Sequence, residues 1–107
     1  MTLTLLIAAA LATNPAFAAD SAAGKSVYDA NCTACHGTSG NGKGAAAIAL
    51  NPKPTDFTNA AFWTGRTDAQ VSASIKSGRP GTSMTAFTQL STADLDNVTA
   101  YIKGFAK

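Results

Sequence analysis

The chain has 107 residues, a formal net charge of +2 and 13% charged residues, which leaves room for one domain and no more. No run of Lys or Arg stands out, so nothing in the sequence supports nucleic-acid binding. Lys25, Lys43, Lys53, Lys76 and Lys103 are scattered, and an ordinary solvated surface is a better reading of them than a docking ring.

Residues 1–18 read as a targeting segment. Leu3 to Leu11 is an apolar run, and Ala16-Phe17-Ala18 is a small-x-small cleavage site, so the cut is placed after Ala18. The run is short of the about 20 apolar residues that a membrane-spanning helix requires. The expected product is a domain over 19–107, exported to the periplasm, with no transmembrane segment.

Ser21 to Cys35 reads as a first helix, capped by Asp20 or Ser21, with Gly24 and Tyr28 on one face. A glycine there lets another helix backbone approach closely. The helix runs into Cys32-Thr33-Ala34-Cys35-His36, which uses both cysteines and the only histidine of the chain in five consecutive residues.

That is the C-x-x-C-H spacing of covalent haem attachment. The two vinyl groups of a haem each take a thioether bond from a thiol, and residues i and i+3 of a helical turn stand about 5–6 Å apart at Cβ. The next residue, His36, is then carried under the ring, where an imidazole nitrogen can bind iron. A disulfide this short would constrain little of the unfolded chain. A thioredoxin-like site needs a βαβ context that is missing, and a zinc site needs about four ligands. A small domain also gains a large flat apolar core from a haem.

Gly37 to Gly44 holds four glycines in eight residues. It lacks the G-x-x-x-x-G-K-[ST] pattern, so it reads as a compact loop beside the ring rather than a phosphate cradle. Ala45 to Leu50 offers about one helical turn. Asn51-Pro52-Lys53-Pro54 forces extended backbone, because a residue before proline is pushed out of the α region. Phe57, Phe62 and Trp63 read first as packing around the ring. The indole N–H of Trp63 needs a partner if buried, and a haem propionate is one acceptor; Arg66 is a second candidate for that contact.

Thr67 to Ser77 is a second helix, with Thr67 and Gln70 as a capping box, Val71 and Ile75 four apart, and Gly78 after its end. Ser91 to about Phe105 is the last, with Leu95, Val98, Ile102 and Phe105 on one stripe and Tyr101 beside it. No alternating strand pattern occurs. Between these helices lies Met84. No second histidine exists and Met1 falls in the removed segment, so Met84 is the one thioether available as a second axial ligand. Without it the iron would take lysine, water or a small ligand.

A Cys-x-x-Cys-His near the start of the mature domain, a methionine loop about fifty residues later and a terminal aromatic-bearing helix resemble a small class I cytochrome c. The resemblance covers the whole domain and implies an all-α fold of about three main helices and loops wrapped around one covalently bound haem c. It implies that the first and last helices cross, with Gly24, Tyr28 and Tyr101 at the contact. Many relatives take the N–H of the haem histidine on a proline carbonyl just after the glycine loop; here that stretch is Gly44-Ala45-Ala46. Relatives often read Met-Pro-x-Phe where this chain has Met84-Thr85-Ala86-Phe87.

The expected function is one-electron transfer between a redox protein donor and acceptor that dock transiently at the haem edge, by a monomer with His36 and Met84 on the iron. Two alternatives stay open: a haem enzyme or gas sensor with a free sixth site, and a cytochrome subunit of a larger oxidoreductase.

Overall fold

The computed structural model describes residues 19–107; the proposed signal segment lies outside the described residues. Those residues form α1 (Ser21–Asn31), α2 (Thr33–His36), a 3-10 turn (Ala45–Ala49), α3 (Ala60–Trp63), α4 (Asp68–Ser77) and α5 (Thr92–Lys103), with no strand among them. Three helices are long, as the sequence leads one to expect, and three short turns lie in the segments between them.

Local signals set most boundaries. Asp20 caps α1 by accepting the N–H groups of Ala22 and Ala23 at 2.9 and 3.1 Å. Reciprocal capping boxes open α4, with Thr67 and Gln70, and α5, with Ser91 and Asp94. Gly78 ends α4 at φ 76°, where a side chain would be strained.

The expected single helix from Ser21 to Cys35 is instead two. Cys32 at φ −120°, ψ −27° interrupts it, and α2 restarts at Thr33. Cys35 and His36 thereby lie on a separate turn from α1. The sequence reading also left out α3, whose single turn is capped by Asn59. With only four residues it lacks the length over which helical periodicity is visible.

The frame is the crossing of α1 and α5. Gly24 is buried at the crossing, and a Cβ there would collide with the Asn97 carbonyl and reach 3.0 Å from Tyr101 Cβ. Asn97 Oδ1 accepts the Asp20 N–H at 2.8 Å, pinning the start of α1 to the same turn of α5. One turn further on, Tyr28 is fully buried, 5.3 Å from the Tyr101 ring and 5.5 Å from Phe105. Val98 and Ile102 of α5 and Val71 and Ile75 of α4 complete this core. Thr99, also buried, shares a 2.9 Å hydrogen bond with Ser72, joining α4 to α5 without leaving a polar atom unpaired.

The crossing can be tested at its tightest point. Gly24→Val forces the helices apart and is expected to cost about 2–3 kcal/mol, a fall in Tm of roughly 10–20 °C for a domain of this size. Far-UV circular dichroism melts of the haem-loaded protein check this, and an unchanged Tm would mean that α1 and α5 do not meet at residue 24.

Candidate functional site

Cys32, Cys35, His36 and Met84 all line one cavity of about 940 Å³, near the upper end of the about 300–1,000 Å³ usual for ligand sites. Residues far apart in sequence build its apolar surface, among them Leu50, Phe57, Val71, Ile75, Phe87 and Ile102. Three cations, Lys53, Arg66 and Arg79, also line it, and no carboxylate does.

His36 is held on two sides. Its ring stacks on Phe57 with centroids 4.5 Å apart and an interplanar angle of 19°. Its Nδ1 lies 3.1 Å from the Thr55 carbonyl oxygen. A carbonyl only accepts, so Nδ1 carries the proton and the lone pair is left on Nε2. Burial lowers the His36 pKa from the ordinary imidazole value, and the Thr55 bond opposes that only in part. The neutral ring with a free Nε2 is the form that binds a metal.

The acceptor is not where the sequence placed it. Gly44-Ala45-Ala46 does not receive the His36 proton; the carbonyl of Thr55, just after Pro54, does. The glycine loop makes this possible by letting backbone lie on backbone. Gly42 has φ +79°, and a Cβ on it would stand 2.7 Å from the Pro54 carbonyl oxygen. Its N–H bonds the His36 carbonyl at 2.8 Å, so one residue touches both the histidine turn and the strand-like segment that orients the ring. The Gly44 N–H bonds the Cys35 carbonyl at 3.0 Å, and Gly40 packs its bare Cα against the Phe105 ring. The loop is therefore the clamp on the proximal side.

Trp63 is not brought to the cavity. Its Nε1–H is donated to the Phe57 carbonyl at 2.8 Å, which satisfies the indole and leaves it no hydrogen to offer a propionate. Its ring instead buttresses Phe57 and, edge-on at 4.9 Å, Phe62. Arg66 does reach the cavity. Its guanidinium lies 4.3 Å over the Phe62 ring and gives one N–H to the Phe62 carbonyl, with the remaining donors of the fork available.

The two thiols are unbonded and half-buried. Burial, with a smaller contribution from Cys35, pushes the Cys32 thiol up to about 11. That is opposite to the depressed pKa of a thiolate in a redox-active C-x-x-C. The donor set of two thiols, one oriented imidazole and one thioether around a large apolar cavity fits a haem.

An all-helical shell with the C-x-x-C-H turn and its histidine on one cavity defines a c-type cytochrome. Residues 21–106 match the family model described as Cytochrome c. Cytochrome c-554(547) of Halothiobacillus neapolitanus is 37% identical over 92 residues, covering 79% of this chain and 96% of that protein. A cytochrome c6 of Picosynechococcus is 37% identical over 89 residues, covering 82% and 75%. Among solved structures, a chain of the Kuenenia stuttgartiensis reducing HAO-like protein complex superposes with TM-score 0.72 at 27% identity. That match covers 81% of this chain but only 43% of the other, so the chain spans under half of that subunit. The c-type cytochrome KustC0563 shares the fold at TM-score 0.64, with 24% identity over 78% of this chain and 98% of that one. The chain belongs to the cytochrome c family, as a small class I monohaem member, with Cys32 and Cys35 spaced for covalent attachment of haem c. The class is that of the small cytochrome electron carriers.

Gly42 supplies the test of the clamp, with Gly81, which does not line the cavity, as its control. Both have positive φ, but a Cβ on Gly81 meets nothing within 4 Å. Gly81→Ala is expected to cost only the backbone strain, about 1 kcal/mol, whereas Gly42→Ala adds a collision and should cost about 2–3 kcal/mol. Denaturant midpoints read the difference, and NMR of the His36 ring N–H should shift in the Gly42 variant alone.

Proposed function

We propose that this cytochrome is a periplasmic shuttle that carries one electron at a time between two redox proteins, with His36 and Met84 as axial ligands. When bound, haem c supplies an iron that alternates between ferrous and ferric states. The observation that carries the reading is the convergence of Cys32, Cys35, His36 and Met84 on one cavity, from segments about fifty residues apart.

Each side chain has a role. Cys32 and Cys35 form the thioether bonds, and the break at Cys32 sets the second cysteine and the histidine on their own turn. His36 presents Nε2 as the proximal ligand, its ring fixed by Thr55 and Phe57. Met84 gives a neutral sulfur, which with a neutral imidazole favours ferrous iron and a positive potential. Held by both His36 and Met84, the haem would supply electron transfer through its edge rather than an iron site open to substrate. Arg66, with Lys53 and Arg79, compensates the propionates in a cavity lined by no carboxylate.

Docking to partners is transient and small. Lys25 pairs with Asp29 and Lys103 with Asp68, and Lys53 donates to the Ala47 and Ile48 carbonyls, so three scattered lysines already have partners. Ile48 is different. It stands 86% exposed on the 3-10 turn, whose chain continues into Leu50 and Pro52 on the cavity wall.

Cytochrome c-554(547), matched across nearly its whole length, is a better guide to this chain than the complex subunit matched across 43% of its own. No helix of the described residues is long and apolar enough to cross a membrane.

Two measurements test the reading. The oxidised protein should show the weak far-red band of methionine sulfur on ferric haem. Met84→Ala should abolish it, lower the potential and open the iron to carbon monoxide in the reduced state. A haem c spectrum without that band would move the open-site enzyme or sensor ahead. Intact-mass analysis of the periplasmic fraction should give a chain that starts at Ala19 and carries one haem; a mass that includes residues 1–18 would refute the cleavage.

A further inference from the structure

The methionine loop lacks the Met-Pro pattern, so something else must fix the sulfur. We infer that the Thr82 hydroxyl is the positioning group that holds Met84 in its ligating conformation. The inference rests on Met84 being the distal ligand.

The geometry is specific. Thr82 Oγ1 donates to the Arg79 carbonyl at 2.7 Å and accepts the Met84 N–H at 3.0 Å. One hydroxyl thus bridges the start of the loop and the ligand residue itself. The loop is closed again by the Arg79 N–H on the Met84 carbonyl at 2.9 Å. Both backbone groups of Met84 are therefore held, one by main chain and one by the Thr82 side chain.

The platform beneath is rigid. Gly78 is buried at φ +76°, and a Cβ on it would stand 2.8 Å from Ala86 N and 2.9 Å from the Met84 carbonyl oxygen. Just past the methionine, the Phe87 N–H bonds the Ile75 carbonyl at 3.1 Å, anchoring the exit of the loop to α4. Between those anchors, Arg79 to Met84 contains Pro80 and a positive-φ Gly81 on which a Cβ would meet nothing within 4 Å. The free element is the loop tip, and Thr82 is the side chain that ties it to the ligand.

A proline after the methionine would stiffen the backbone by restricting the residue before it. A threonine two residues earlier does the same work by hydrogen bonding, and such bonds can be broken and remade. Loss of them should raise the fraction of molecules whose sulfur is off the iron. An external ligand for that position then binds more tightly in proportion.

The test is imidazole titration of the haem-loaded ferric protein, followed by the far-red band, in the parent, Thr82→Val and Thr82→Ser. Valine keeps the shape and removes both bonds; serine restores them. Apparent imidazole affinity should rise about 3- to 10-fold in Thr82→Val, the loss of one to two net hydrogen bonds, and stay near the parent value in Thr82→Ser. In a Met84→Ala background, Thr82→Val should leave imidazole affinity unchanged, since no methionine competes. Equal affinities in the parent and Thr82→Val, or an equal rise with and without Met84, would overturn the inference. Hydrogen exchange of the Met84 amide separates the two readings. Faster exchange in Thr82→Val with no far-red band in the parent would mean that the brace exists but Met84 is not the ligand, which overturns the ligation reading and the positioning role with it.

Discussion

The packing of Tyr28 is the constraint on which the rest depends. It is fully buried between Tyr101 and Phe105, and its hydroxyl donates to the Gly37 carbonyl at 2.6 Å. Burial raises the Tyr28 pKa, so the phenol stays a neutral donor. One side chain therefore joins the α1–α5 crossing to the residue that follows His36. The helix pair provides a frame, and the tyrosine transmits that frame to the haem-binding turn. Gly24 is needed for the same reason, because the tyrosine reaches this position only if the helices touch through bare backbone one turn earlier.

From there the His36 side of the cavity is built by bare glycine backbone laid against its neighbours. Gly40 meets Phe105, Gly42 meets Pro54 and Gly44 meets Ala34, each so close that a Cβ would collide. A glycine-rich segment is ordinarily a conformational cost. Here the cost is offset because the closely laid chain holds the Thr55 carbonyl against His36 Nδ1 and fixes the tautomer. The orientation of the imidazole is thus set by protein groups alone, the Thr55 carbonyl and the Phe57 ring.

Much of this was legible in the residues, and the boundary of legibility has a physical cause. The C-x-x-C-H turn, the Thr67–Gln70 capping box, the α5 stripe and the Gly24–Tyr28–Tyr101 contact depend on short-range spacing or on a family pattern. The Thr55 acceptor does not, since it lies nineteen residues from His36 and is set by how a flexible loop folds back. Trp63 shows the limit from the other direction. The sequence reading correctly asked for an indole partner, yet the partner is a carbonyl six residues away rather than the cofactor. The break at Cys32 was hidden because Thr33 to Cys35 remains helical on its far side.

The two faces of the cavity are held differently, and the difference matters for what a carrier can do. His36 is locked by a stacked ring, a carbonyl and a glycine clamp that all belong to the folded core. Met84, itself half-buried, sits in an exposed loop whose tip is restrained by one hydroxyl and two main-chain bonds between firm anchors at Gly78 and Phe87. Disturbing the first strains the folded core itself; disturbing the second moves only an exposed loop. On the ligation proposed above, adjustment of potential and of access to the iron would be concentrated in a few residues from Arg79 to Met84, while the cysteine turn is held by the folded core. An electron carrier and an open-site haem protein can share the same frame and proximal side, and the distal loop is where they part.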